Sequence, residues 1–151
     1  MESAVMTPID TVVKLLQNLG DASVVRSLVH EDATYVSLNY DNPDLHKIMP
    51  WCGTNKGVSA VINNLQMIYG CWDVLEFNPG EIFGSDDRVA LFGSFKYRSK
   101  VVNKIVSSPF AIFARLKDGK ISYFQFMEDT FATAASFFDD KTGTYKNFPD
   151  K

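Results

Sequence analysis

The chain has 151 residues, 46% of them apolar and 22% charged, enough for one compact core and too apolar for a disordered segment. Its formal net charge of -3 argues against nucleic-acid binding driven by phosphate neutralisation. No apolar run approaches the roughly 20 residues that span a bilayer, so no membrane partner is expected.

Residues 8–19 read as a helix: Thr7 is a plausible N-cap, Pro8 suits the first helical position, and Gly20 stops it. Asp21 then caps a short helix over 22–29. Glu31 and Asp32 turn the chain into a strand over 33–39. The segment 40–57, with Pro43, Pro50 and Gly53, reads as a long loop. Residues 59–70 form a further helix with Val61, Ile62, Leu65 and Ile68 on one side. Strands follow at 72–83, bent near Asn78, Pro79 and Gly80, then at 89–98, 104–116 and 121–129. Pro109 requires a bulge or an edge within its strand. The Asp118-Gly119 pair marks a hairpin turn. A short Ala-rich helix over 130–138 and a polar tail over 139–151 complete the chain.

Three helices followed by long antiparallel strands indicate an α+β fold with helices on one sheet face. The later strands are partly apolar on both faces. The outer one, with Phe113 and Met127, is expected to meet a second copy in a homodimer. Residues 1–8 lack the basic start and apolar stretch of a secretory signal. Cys52 and Cys71 form neither a zinc spacing nor a CxxC pair, which fits two reduced thiols in a cytoplasmic protein. No phosphate loop, dinucleotide fingerprint, GxSxG or HExxH motif is present. With His30 and His46 the only histidines, nothing in the spacing calls for a metal or a cofactor.

Three stretches carry a resemblance. Gly20-Asp21 is followed by Leu28-Val29-His30-Glu31-Asp32-Ala33. Gly53-Thr54-Asn55-Lys56-Gly57 precedes a helix. Gly119-Lys120-Ile121 runs to Phe126-Met127-Glu128-Asp129-Thr130 and then Ala132, Ala134 and Ala135. In this order and at these gaps, residues 7–138 resemble the SnoaL-like branch of the superfamily shared by nuclear transport factor 2 and ketosteroid isomerase. The resemblance implies a single domain over 1–138. Its fold would be a cystatin-like cone: a curved antiparallel sheet wrapped around three N-terminal helices, with a short C-terminal helix and a deep, mostly apolar pocket. The family includes polyketide cyclases, isomerases, dehydratases and epoxide hydrolases, so the site must decide the function.

Residue by residue, the known catalytic sets are missing. The positions matching the ketosteroid isomerase base and its two donors are Ser37, Val13 and Ile112. Of the limonene epoxide hydrolase set, Tyr35 is kept and Ser37 replaces an Asn. The charged positions of that set fall at Gly93, Phe95 and Phe126. Where cyclase-like members carry Arg and a carboxylate, this chain has Gln125 and Phe126. Glu128, two residues on, shares the face of Phe126 and is the one carboxylate of that strand able to point inward. Asp129 reads as the N-cap of the final helix.

The expected pocket is lined by Tyr35, Ser37, Phe95, Phe110, Phe124 and Phe126, with Gly93 making room. Asn39, Trp51 and Tyr97 are further ligand-binding candidates. Such an aromatic, nearly uncharged hollow suits a small flat hydrophobic molecule of polyketide-, steroid- or aromatic-like kind. If the protein is an enzyme, it is a cofactor-free cyclase or isomerase. Glu128 or His46 would then move a proton while Tyr35 donates to a carbonyl or enolate oxygen. The alternative is a ligand-binding or dimeric interaction module that kept the cone and lost the chemistry.

Overall fold

A computed structural model of the chain describes residues 5–139. Helix α1 covers Pro8–Leu16 and opens on a capping box, in which Thr7 and Asp10 exchange side-chain-to-backbone bonds. It ends a turn earlier than its apolar spacing predicts. The Asn18 amide nitrogen bonds back to the Lys14 carbonyl at 2.8 Å, and residues 17–20 form a tight turn. Helix α2, Ala22–Leu28, is capped by Asp21, which accepts from the Ser23 and Val24 amides.

Strand β1 runs Val29–Ser37, so Glu31 and Asp32 lie within it rather than in a turn. They occupy the register irregularity between Val29 and Thr34, where the sheet tolerates two charged residues in a row. The expected loop over 40–57 holds two short elements. Helix α3, Pro43–Ile48, is capped by Asn42, and strand β2, Gly53–Lys56, pairs antiparallel with β1. Helix α4, Val58–Cys71, leads directly into strand β3, Trp72–Gly84. Strands β4, Arg88–Ser99, and β5, Ile105–Lys117, extend the sheet. Strand β6, Lys120–Glu128, follows a turn with positive φ at Asp118 and Gly119, as the Asp-Gly pair predicts. Helix α5, Thr130–Ala135, closes the described chain, capped by Asp129. The expected tail lies, beyond Asp139, outside the described residues.

The six strands form one sheet in the order β2-β1-β6-β5-β4-β3. Neighbours are antiparallel except β1 and β6, which run parallel near its middle. The bend expected at Asn78 to Gly80 is a register shift between Pro79 and Ile82. Pro109 pairs with Ser94 of β4, and pairing with β6 starts only at Phe110. Its missing N–H therefore falls where β5 has lost its other neighbour.

Alternation along the strands puts Leu91, Phe95 and Tyr97 on the buried concave face. On the convex face Phe92 stacks with Phe83 at 6.2 Å, and both are more than half exposed. Two apolar clusters fill the concave side. One joins Val12, Leu15, Val25 and Val61 of the helices to Val89, Ala114 and Ile121 of the sheet. The other is aromatic, built on Trp51, Trp72, Phe95, Tyr97 and Phe110.

Candidate functional site

Between the concave face and helices α1 and α4 lies a cavity of about 180 Å³. Leu15, Leu16 and Leu19 form its helical wall, and Leu65, Ile68 and Tyr69 of α4 its roof. The sheet contributes Tyr35 and Ser37 from β1, Tyr97 from β4, and Phe124, Phe126 and Glu128 from β6. The surroundings are apolar, so the few polar side chains face little competition from water.

Glu128 is placed by its neighbours. It ends β6, opposite Phe110, and keeps the inward phase of Phe124 and Phe126. The next residue is pinned on two sides. The Asp129 amide donates to Ser108 Oγ at 2.9 Å, and its carboxylate accepts from the Ala132 amide. Glu128 as a whole is only partly buried, yet its Oε2 has no exposed surface and no hydrogen-bond partner. Burial pushes its carboxyl up to about 7. The Thr133 hydroxyl nearby opposes that rise, and the Asp129 charge adds to it.

Two phenols stand near this carboxyl. Tyr35 is pushed up to about 12 by burial. The hydroxyl of Ser37 beside it acts the other way, and the Glu128 charge adds to the rise. Tyr97 is raised further, again first by burial and then by Glu128. Both remain protonated donors throughout the neutral range. Burial, with the Glu128 charge adding to it, pushes the Cys52 thiol up to about 12, so it stays protonated and unreactive. The arrangement provides one proton carrier of near-neutral pKa and two fixed O–H donors in an apolar chamber, the parts needed for proton transfer next to a carbonyl.

Of the residues singled out from the sequence, Tyr35, Ser37, Trp51, Tyr97, Phe124, Phe126 and Glu128 line the cavity. Trp51 is a fully buried wall, edge-on to Trp72 at 5.2 Å, with its carbonyl accepting from the Asn55 and Asn64 amides. Phe95, Phe110 and Gly93 lie beyond the cavity wall, because the rings pack against one another. Phe110 stacks on Phe126 at 5.2 Å and on Phe77 at 4.7 Å, and Phe95 stacks on Tyr97 at 3.9 Å. Gly93 does make room, but for Phe110: a Cβ there would sit 2.7 Å from the ring.

Asn39 also lies outside the cavity wall. Leu38 adopts φ 70, which breaks the strand alternation, and both Asn39 amide atoms end buried without a partner. His46 is exposed on α3, where Nδ1 donates to the Cys52 carbonyl at 3.1 Å, and it is not among the cavity residues. Tyr69 is a polar lining residue that the sequence analysis did not single out, as is also true of Thr34, Val74 and Phe77, and Thr133 stands near Glu128 outside the lining. Tyr69 was findable, since it lies four residues after Leu65 and seven after Ile62 on the apolar side of α4. Among the described residues no cluster of three or more His, Cys, Asp or Glu is arranged to hold a metal. No described helix is long and apolar enough to cross a membrane.

Comparison with known proteins agrees with this architecture. Residues 13–124 match the SnoaL-like domain family. Patulin synthesis protein F of Aspergillus clavatus is 43% identical over 148 residues, covering 94% of this chain and 75% of that protein. Among solved structures, an NTF2-like protein of Burkholderia xenovorans superposes with a TM-score of 0.74 at 19% identity, covering 89% of this chain and all of its own. TerC, co-crystallised with polyporic acid, superposes with a TM-score of 0.69 at 19% identity, covering 85% of this chain and 96% of its own. The chain belongs to the SnoaL-like domain family.

Proposed function

We propose that the protein is an acid–base enzyme of small-molecule biosynthesis that shifts a proton on a neutral, ring-bearing carbonyl compound. Glu128 is the proton carrier, and Tyr35 and Tyr97 hold the substrate oxygen. The observation that carries this reading is the Glu128 carboxyl: it lines the cavity, leaves Oε2 unpartnered, and is held near 7 by burial. A carboxyl of that pKa is a competent base and a competent acid at the same pH. In the proton shift, the Glu128 carboxylate takes a proton from the carbon next to the carbonyl. The charge moves to the oxygen, where the two phenols donate to it. The protonated Glu128 then returns the proton to the same or a conjugated carbon, and no electrons are gained or lost overall.

The relative that is 43% identical is named for the synthesis of patulin, which supports a place in the making of a small molecule. TerC, of the same fold, was crystallised with polyporic acid, and the apolar cavity of this chain suits an organic ring likewise.

The test uses 3-cyclohexen-1-one, a neutral single-ring ketone with labile protons between its two unsaturated groups. The wild-type protein is expected to speed deuterium uptake at that carbon and formation of the conjugated enone, with a rate that rises with pH to a plateau above about 7. Glu128→Gln is expected to lower that rate by about 100-fold or more. Equal rates for the two proteins would refute Glu128 as proton carrier and favour a cone that binds without catalysis.

A further inference from the structure

The cavity has a neighbour. A shallower, more open cleft of about 370 Å³ lies on the surface between the α1–α2 turn and the C-terminal part of α4. It is lined by Leu19, Gly20, Ala22, Ile62, Leu65, Gln66, Tyr69 and Gly70, and three of these, Leu19, Leu65 and Tyr69, also line the chamber. Those three side chains are therefore the partition between outside and inside. Tyr69 is the one suited to move. It is 38% exposed at the surface, yet its phenol is close enough to that of Tyr97 to raise it. Leu19 and Leu65 are half-buried and anchored in the core around α1 and α4.

The two glycines in the cleft point the same way. Gly20 and Gly70 line the cleft but not the chamber. Neither has a positive φ, and a Cβ at either would meet nothing within 4 Å. Gly70 even lies inside α4, where glycine is a poor helix former. No backbone conformation or close approach requires these glycines. Their evident effect is to keep the floor of the cleft free of side chains.

We propose that this cleft is the way by which the small-molecule ligand reaches the chamber, with Tyr69 as the swinging side chain that separates the two. The occupant is the neutral ring compound of the chamber in transit, because the cleft is lined mostly by apolar residues and is divided from that chamber only by the shared side chains of Leu19, Leu65 and Tyr69. The inference rests on the reading of the cavity as a ligand site, but it concerns rates of access and is separable from Glu128 chemistry.

Trp51 and Trp72 line the chamber, so indole fluorescence reports its occupancy. The probe is 4-nitroacetophenone, a neutral single-ring ketone whose nitro group quenches indole, mixed with the full chain in a stopped-flow instrument. Gly70→Leu and Gly20→Val add bulk only to the cleft. Each is expected to slow association and dissociation together by about tenfold while leaving Kd within about twofold, because a blocked passage raises the barrier in both directions. Gly70→Ala, too small to fill the cleft, is expected to keep the wild-type rates, and Tyr69→Ala to speed association. Melting curves confirm that each variant is folded. Unchanged association in folded Gly70→Leu, Gly20→Val and Tyr69→Ala would overturn the passage while leaving the chamber intact. Weaker binding of Gly70→Leu with unchanged association would also overturn it, making the cleft a binding surface. Absence of quenching in the wild type would overturn the chamber reading and the passage with it.

Discussion

The concave face of the sheet is filled in two different ways along its length. Toward one end, Phe77, Phe95, Phe110 and Phe126 stack on one another, and Gly93 gives up its side chain so that Phe110 can lie flat against the sheet. Toward the other, where Tyr35, Tyr97 and Glu128 converge, a cavity remains. Both regions arise from the same inward alternation of the same strands. The difference is what the facing elements supply. Phe77 of β3 reaches over Phe110, whereas the cavity is faced from the helices by aliphatic side chains, Leu16, Leu65 and Ile68, which lay no ring against the sheet. The packed end gains stability from ring burial. The open end keeps a carboxyl at a cost, and such a cost is a usual mark of a functional site.

The largest expected effect breaks the packed end. Phe110→Ala removes a ring that touches Phe77, Phe95 and Phe126 and leaves a void beside Gly93. Unfolding in denaturant is expected to show a loss of about 3–5 kcal/mol. A loss below about 1 kcal/mol would mean that this end is as loosely filled as the other.

Next comes the chamber's carboxyl. Its pKa rises from the ordinary 4.5 to about 7 on folding, so between those values the folded protein binds more protons than the unfolded one. Stability therefore declines as pH rises from about 4.5 to about 7 and levels off above. At about 1.4 kcal/mol for each pH unit, the whole decline is about 3 kcal/mol. Glu128→Gln is expected to remove that slope, which melting curves between pH 4 and pH 8 would reveal. A wild-type slope that persists in the variant would assign the decline to another group.

The smallest effect sharpens how Glu128 is tuned. Asp129→Ala takes away the cap of α5 and is expected to cost about 1 kcal/mol in thermal unfolding. It also removes the Asp129 charge that helps to raise the neighbouring Glu128, so that carboxyl should titrate slightly lower in this variant.

Much of this architecture is legible in the residues themselves. Thr7 and Asp21 mark their helix starts through side chains that satisfy free backbone amides, and Asp118-Gly119 marks its hairpin through residues that take positive φ. Strand alternation places Tyr35, Ser37, Phe124, Phe126 and Glu128 on the face that holds the cavity. The elements of 40–57 were less visible for physical reasons. Helix α3 has only six residues, too few to show a period, although Asn42 and Pro43 repeat the start signals of α1. Strand β2 reads Gly-Thr-Asn-Lys and is a strand only because β1 offers it a partner. Alternation also gives a face without saying how it is filled. It could not separate Phe95 and Phe110, which lie within the stack alone, from Phe124, which borders the cavity, or from Phe126, which belongs to the stack and borders the cavity too. Nor could it foresee Leu38 at φ 70, a conformation that no side chain of that type favours and that removes Asn39 from the series.

The central claim is that one carboxyl in an apolar chamber is held near neutrality. Carbon-13 NMR of the protein with labelled glutamate carboxyls tests it directly, Glu128→Gln serving to assign the signal. A midpoint near 7 for Glu128, well above the other glutamates, is the predicted result. A midpoint at the ordinary 4.5 would place that carboxyl in water and contradict the account.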